Sequence, residues 1–357
     1  MSVIPSRLSS GVFRYFLAIV LITPALANEL KDSGLQLSNP LVKVIYWADE
    51  QRVVASIFEK EPWIAPDGTK KGVESIFIWN VETNELKRHA GPGTGGLCVG
   101  DGFIRYFQRR LSEGKYDELD RYYGAIGKEQ IHVLTGPIDQ QTCRLESELI
   151  PLPAWLDAAK ESGRIFKPLK PGHGWLEMDR GLPPAYPIAI HPPGKNHQPI
   201  PIDRRVLQPW LAQGYHVVFL RYEAFKDAYL LGLDDTRGAG DNKTGKLWWL
   251  YSDGRLEEIL SYGREGNWKT IRVNGLIPAR SSLLAIGTET NWPLDKSGLY
   301  RQTARGDLDL LAKGWVAGKV LSPDGCKIAF GIDPRGFWVK GPHTFNLQIL
   351  DICPPAK

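Results

Sequence analysis

The chain has 357 residues, including 26 prolines and 37 glycines, and its 44 basic side chains nearly balance 40 acidic ones. That length suffices for one large domain or two ordinary ones. The near balance argues against a nucleic-acid or anionic-surface binder, which would need a concentrated basic patch.

The first residues carry a targeting signal. Arg7 and Arg14 precede an apolar run from Phe16 to Ile22, and Pro24-Ala25-Leu26-Ala27 follows. A basic start, a short apolar core and small residues at the −3 and −1 positions predict a signal peptide, residues 1–27, cut between Ala27 and Asn28. A transmembrane helix is the competing reading, but the run is far shorter than the roughly 20 apolar residues a span needs. No cysteine follows the cut, which argues against a lipid anchor. The mature chain is expected to be soluble, without membrane insertion, and periplasmic or secreted. Removing two arginines and no acids leaves 42 basic against 40 acidic residues.

Short strands and turns fill the remainder, with little helical periodicity. Leu41–Trp47 and Arg52–Phe58 flank Ala48-Asp49-Glu50, and Ile76–Asn80 is followed by the Val81–Asn84 turn and Leu86–His89. A second group comprises Leu97–Val99, the Asp101-Gly102 turn, Phe103–Phe107, Arg121–Ile126 and Gln130–Leu134. Between Cys143 and Arg205 the pattern weakens to Trp175–Met178, Tyr186–His191 and Pro199–Asp203, with Trp155–Ser162 expected as an inserted helix. A fourth group holds Tyr215–Tyr222, Leu247–Tyr251, Ser252-Asp253-Gly254 and Arg255–Leu260. The fifth holds Trp268–Val273, Ser282–Gly287, Leu299–Thr303 and Leu308–Leu311.

The last group is the clearest. Val320–Leu321 and Ile328–Phe330 flank Ser322-Pro323-Asp324-Gly325, and Phe345–Ile352 alternates for most of its length. Proline presets φ for a tight turn, aspartate bonds its own backbone, and glycine accepts positive φ. Strand, Ser-Pro-Asp-Gly, strand, then a strand ending in aspartate resembles the repeat of TolB-type, WD40-like β-propellers. The third strands of the groups start near 76, 121, 186, 247, 299 and 345. Their spacing brackets the ~40–50 residues of propeller repeats. The expected fold is all-β: a single propeller over residues 28–357, with an irregular insertion around 143–205. Six blades are expected, or seven if Ala228–Leu233 forms a blade of its own.

After Ile352 too little chain remains for an outer strand, whereas Leu30–Ser38 is unassigned and contains the alternating Leu35-Gln36-Leu37. An N-terminal strand is therefore expected to complete the last blade, as the propeller resemblance also implies. Closure would protect sheet edges.

Cys98, Cys143, Cys326 and Cys353 are even in number and match no zinc spacing, so disulfides are the expectation in an oxidising compartment. Four cysteines allow three pairings. Cys326 opens one predicted strand and Cys353 closes its antiparallel neighbour, which places them side by side. That pairing leaves Cys98 with Cys143.

Motifs for chemistry are sparse. Gly91-Pro92-Gly93-Thr94-Gly95-Gly96 contains G-x-G-x-x-G, but a strand and not a helix follows, so an inter-blade loop is expected instead of a dinucleotide site. His173, His191 and His197 lack zinc spacing and are expected as exposed loop residues. The Asp234–Gly245 stretch is acidic and glycine-rich, yet Gly245 stands where an EF-hand needs glutamate. Asn242-Lys243-Thr244 is a glycosylation sequon if the host modifies exported proteins. Twelve tryptophans suit packing between blades. Trp47, Trp79 and Trp249 fall on predicted strands, whereas Trp63, Trp292 and Trp338 fall in loops and are the candidates for a binding face.

These features favour a monomeric binding module without cofactor, recognising a protein or peptide of the cell envelope through one end of its ring. TolB's separate N-terminal α/β domain is expected to have no counterpart, since the predicted strands begin soon after the signal. The alternative is a hydrolase or lyase with carboxylates or a metal, calcium or zinc, at the channel.

Overall fold

The structure, a computed structural model, describes residues 30–37, 45–59, 63–64, 68–100, 103–109, 119–126, 128, 130–131, 138–139, 144–145, 163–169, 174–179, 186–192, 198–235, 245–259, 271–288, 296–337 and 340–353. Among them strand dominates, and the one α-helix is the short Gln208–Ala212. Among the described residues, no helix is long and apolar enough to cross a membrane. The helix expected at Trp155–Ser162 lies outside the described residues.

The strands form consecutive antiparallel meanders. The first comprises Ile45–Trp47, Arg52–Phe58, Glu74–Asn80 and the first half of Glu85–Gly100. The second half of that long strand pairs with Phe103–Arg109, followed by Leu119–Ala125 and Gln130–Ile131. Two meanders thus share one seven-stranded sheet. The third meander is Arg164–Pro168, Trp175–Asp179, Tyr186–His191 and Ile200–Pro201. The fourth is Tyr215–Glu223, Ala228–Asp235, Gly245–Leu250 and Leu256–Glu258. Ala228–Leu233 is therefore an inner member of this sheet and not a blade of its own. The fifth is Arg272–Pro278, Leu283–Thr288, Gly298–Gln302 and Leu308–Lys313.

The last meander uses both ends of the chain. Trp315–Leu321, Lys327–Asp333 and Phe345–Asp351 are followed in space by Leu30–Leu37. Leu37 stands opposite Phe345 and Leu30 opposite Leu350, with a bulge between Asp32 and Gln36. The clasp follows from the alternation of Leu35 and Leu37, which are 7% and 2% exposed and enter the core with Trp47, Phe345, Leu347 and Ile349. Cys326 and Cys353 are bonded across the neighbouring strands, with Cα atoms 4.9 Å apart.

Neighbouring meanders pack face to face at several seams. The fourth shows why both faces of each sheet are apolar: Tyr229 and Leu250 point to Leu176, Met178 and Ile190 of the third, while Leu230 and Trp249 point to Leu283 of the fifth. Ile286 and Leu299 of the fifth meet Ile328 and Phe330 of the last, and Val54 and Ile76 of the first meet Ile104 and Tyr106 of the second. Four-stranded meanders in sequence order, packed through these seams and with the last closed by Leu30–Leu37, are the organisation of a β-propeller. Trp47, Trp79 and Trp249 all lie in these seams at 1–7% exposure.

Candidate functional site

Contacts between turns fix how the meanders are aligned. Trp47 Nε1, at the end of the first meander's first strand, donates to Val320 O at the matching end of the last meander, 3.1 Å away. Arg280 N in the fifth meander's first turn donates to Gly325 O in the last meander's first turn at 3.1 Å. Phe225, from the first turn of the fourth meander, packs its ring on Gly325. Like ends meet like ends, so these meanders point the same way. One end of the fold, the tight-turn end, is formed by turns such as 48–51, 224–227, 279–282 and 322–326. At the other end the second strand of these meanders finishes and the third begins, the intervening residues being 59–73, 236–244, 289–297 and 334–344.

Two polar clusters brace the first and last of these connections. Glu59 begins the first of them and binds both Ser75 Oγ and the Arg88 guanidinium, and Arg88 Nη2 also donates to Ser75 Oγ at 2.8 Å. Ser56 donates to Glu74 at 2.6 Å beside this cluster. Burial, then the charge of Glu74, raises the pKa of nearby Tyr46. In the last meander, Asp333 is fully buried and receives Arg335 N, Nε and Nη2, His343 Nδ1 and Thr344 N. It therefore ties the start of the 334–344 connection to its end. Burial by itself would raise the Asp333 pKa, but the hydrogen bonds from Arg335, His343 and Thr344 outweigh it and hold the carboxyl far below its usual range. Trp315 meets His343 and Phe337 edge-on behind this pair.

Apolar side chains lie exposed beside these clusters. Phe58 is 40% and Ile64 62% exposed, and Phe337 is 36% exposed. Trp63 and Ile64 form a small hairpin with Lys70 and Lys71 inside the 59–73 connection. Trp292 and Trp338 lie outside the described residues, in the segments 289–297 and 334–344 that join described strands. All three tryptophans thus belong to long connections.

Other sequence candidates move. His191 is no exposed loop residue: it ends the Tyr186–His191 strand at 6% exposure, and its Nε2 lies 2.8 Å from Glu177 Oε2. Arg164 approaches Glu177 at 3.7 Å and Asp179 at 3.6 Å, which aligns four ionisable side chains on one sheet. The exposed reading failed because Pro192-Pro193 suggested a loop where the strand had only just ended. His173 and His197 lie outside the described residues, as do 236–244 with Asn242. Asp234 and Asp235 close a strand and Gly245 opens the next. Among the described residues no three His, Cys, Asp or Glu side chains gather as a metal site.

The Gly91–Gly96 segment is not a loop either. It lies within one continuous strand, Glu85–Gly100, which changes partners there. A Cβ at Gly91 would fall 2.0 Å from Ser75 Oγ, and one at Gly95 would fall 2.5 Å from the Phe107 ring. Close packing, not a phosphate, explains the glycines. Cys98 is disulfide-bonded, and Cys143 lies outside the described residues.

Sequence reasoning missed both braces, although Asp333-Pro334-Arg335 carries a signal: an aspartate bonding the backbone two residues on is an Asx turn. Asp203 and Arg205 repeat the same Asp-x-Arg geometry.

No family model and no curated protein matches the chain. Among solved structures it is similar to an oligogalacturonate lyase in complex with manganese, at 11% identity over 90% of this chain and 99% of that one, TM-score 0.36. It is also similar to the β-propeller domain of Cps50 (Swd1) from Myceliophteria thermophila, at 11% identity over 88% and 98%, TM-score 0.35. The β-propeller domain of the trilobed protease from Pyrococcus furiosus matches at 9% identity over 82% and 78%, TM-score 0.29. Scores at this level carry no argument, and the propeller organisation rests on the strand order and seams above.

Proposed function

We propose that the chain is an exported, six-bladed propeller of TolB-like type that binds a protein or peptide of the cell envelope through its long-connection end. The unlike ends of the fold carry this reading. At one end short turns interlock; at the other, the Glu59–Arg88 pair and the pairing of buried Asp333 with Arg335 hold longer connections in place while Phe58, Ile64 and Phe337 remain exposed. Apolar and aromatic groups on a rigid polar frame are the composition of a protein-binding surface. No cofactor is part of the proposal, and Cys98 pairs with Cys143.

The test is a pull-down from envelope extract with purified chain, the Ile64→Asp variant and the Glu82→Lys variant at the tight-turn end. One stoichiometric partner, lost with Ile64→Asp and kept with Glu82→Lys, is expected. Equal capture by Ile64→Asp would refute the chosen end. Stoichiometric calcium or zinc in the purified protein would favour a hydrolase or lyase instead. Mass spectrometry of the natural protein should find Asn28 at its N-terminus, and a retained Met1 would remove the export argument.

A further inference from the structure

The closing strand is a separable part. Leu30–Leu37 pairs on one side with Phe345–Asp351 and reaches the neighbouring meander through Lys31 Nζ, which donates to Val81 O. Its remaining polar ties are Ser33 Oγ to Leu347 O at 2.9 Å and Gln348 Nε2 to Asp32 Oδ2 at 2.9 Å. Its apolar anchors are Leu35 and Leu37, whereas Leu30 at the other end is 46% exposed. Every one of these contacts can be made equally well by the same residues of another copy.

We propose that the Phe345–Asp351 edge is an interaction surface for a second copy of this chain, which enters by donating its own Leu30–Leu37 strand. The acceptor edge reads an extended segment whose Ser33-Gly34 bulge sits opposite Leu347 and whose next residues are Leu-x-Leu. Gly34, at φ +72°, supplies the backbone turn of that bulge. A second copy is the occupant because it carries this pattern in the required register, so no new contact has to be evolved. Closed monomer and strand-exchanged dimer then share the same strand contacts. Only the local concentration of the donor differs, and for a tethered strand it is on the order of millimolar. The monomer prevails in dilute solution, and the exchanged dimer accumulates when concentrated chains are warmed enough to release the clasp and then cooled.

The test uses full-length copies. One carries Asp32→Cys and the other Gln348→Cys, and they are mixed at high concentration, warmed below the unfolding midpoint, cooled and treated with a short bis-maleimide. A covalent dimer whose link maps to positions 32 and 348 is expected. Its yield relative to monomer should rise about tenfold with a tenfold rise in concentration, by mass action. Adding Leu35→Asp and Leu37→Asp to the donor should abolish the link. Mixed copies that remain unlinked, while a single chain bearing both cysteines links internally, would overturn the proposal. Failure of that single-chain link would also overturn it, because the pairing itself would be absent.

Discussion

Phe225 and Gly325 belong to different meanders, yet a methyl group added at Gly325 would lie 2.6 Å from Phe225 Cγ. Gly325 also sits at φ +70°, where a side chain is strained. Gly325→Ala is therefore expected to destabilise the fold by about 1–3 kcal/mol through backbone strain and overlap. Phe225→Ala in the same background should recover part of the loss. Urea unfolding of the two variants checks this, and an additive pair would show that the contact does not matter.

The disulfide and the clasp act on the same sheet. Cys326 and Cys353 are 27 positions apart, and a crosslink closing such a loop contributes roughly 3–4 kcal/mol. Reduction, or Cys353→Ser, should lower the melting temperature. Hydrogen exchange in Leu30–Leu37 should quicken before the middle meanders respond. Deleting residues 28–38 should act similarly without touching a cysteine, and a deletion that melts like the intact chain would contradict the role given to the clasp.

Asp333 sets an acid limit on stability. Its folded pKa is depressed, so its contribution is fully present above the ordinary carboxylate pKa of about 4. It is lost as pH falls from there through the lower folded value. Asp333→Asn should cost about 1–3 kcal/mol at neutral pH, because a buried carboxamide cannot accept all the hydrogen bonds that the carboxylate takes from Arg335, His343 and Thr344. The variant should also show a shallower loss of stability with acid than the parent. Unfolding curves between about pH 2 and 7 provide the measurement, and identical acid slopes would sink the assignment.

Leu37 is a simpler case. Leu37→Ala should cost about 2–5 kcal/mol, as for other buried leucines truncated in a core. Leu30→Ala, at the exposed end of the same strand, should change stability by under about 0.5 kcal/mol. Thermal melts of the pair measure the asymmetry directly.

Local chemistry made the last meander legible. Ser322-Pro323-Asp324-Gly325 announces a turn whatever surrounds it, and Leu35-x-Leu37 announces a half-buried strand. Cys326 and Cys353 then follow from strand order. What stayed hidden depends on partners far along the chain. Arg164–Pro168 has little alternation and becomes a strand by pairing with Trp175–Asp179. His191 is buried because Glu177 on the adjacent strand receives it. The glycines at 91 and 95 mark close packing against Ser75 and Phe107, which no window of sequence contains. Of the tryptophans expected in loops, Trp63 falls in the short Trp63–Ile64 strand, and Trp292 and Trp338 lie outside the described residues. Glu59 and Asp333, which brace two of the long connections, were not legible.

The two-ended construction of the closing sheet has a consequence for biosynthesis. Ser33 bonds to Leu347 across 314 positions, so Leu30–Leu37 must wait for a strand made far later in the chain. Contacts of such separation slow folding, because a long loop must close before any reward is collected. Until then Leu35 and Leu37 can meet Trp47, Val53 and Trp79 of the first meander but lack the Phe345, Leu347 and Ile349 side of their core. A ribosomal product that stops short of Phe345 never acquires the receiving edge. The clasp thus makes the pairing of Leu30–Leu37 conditional on synthesis through Phe345–Asp351.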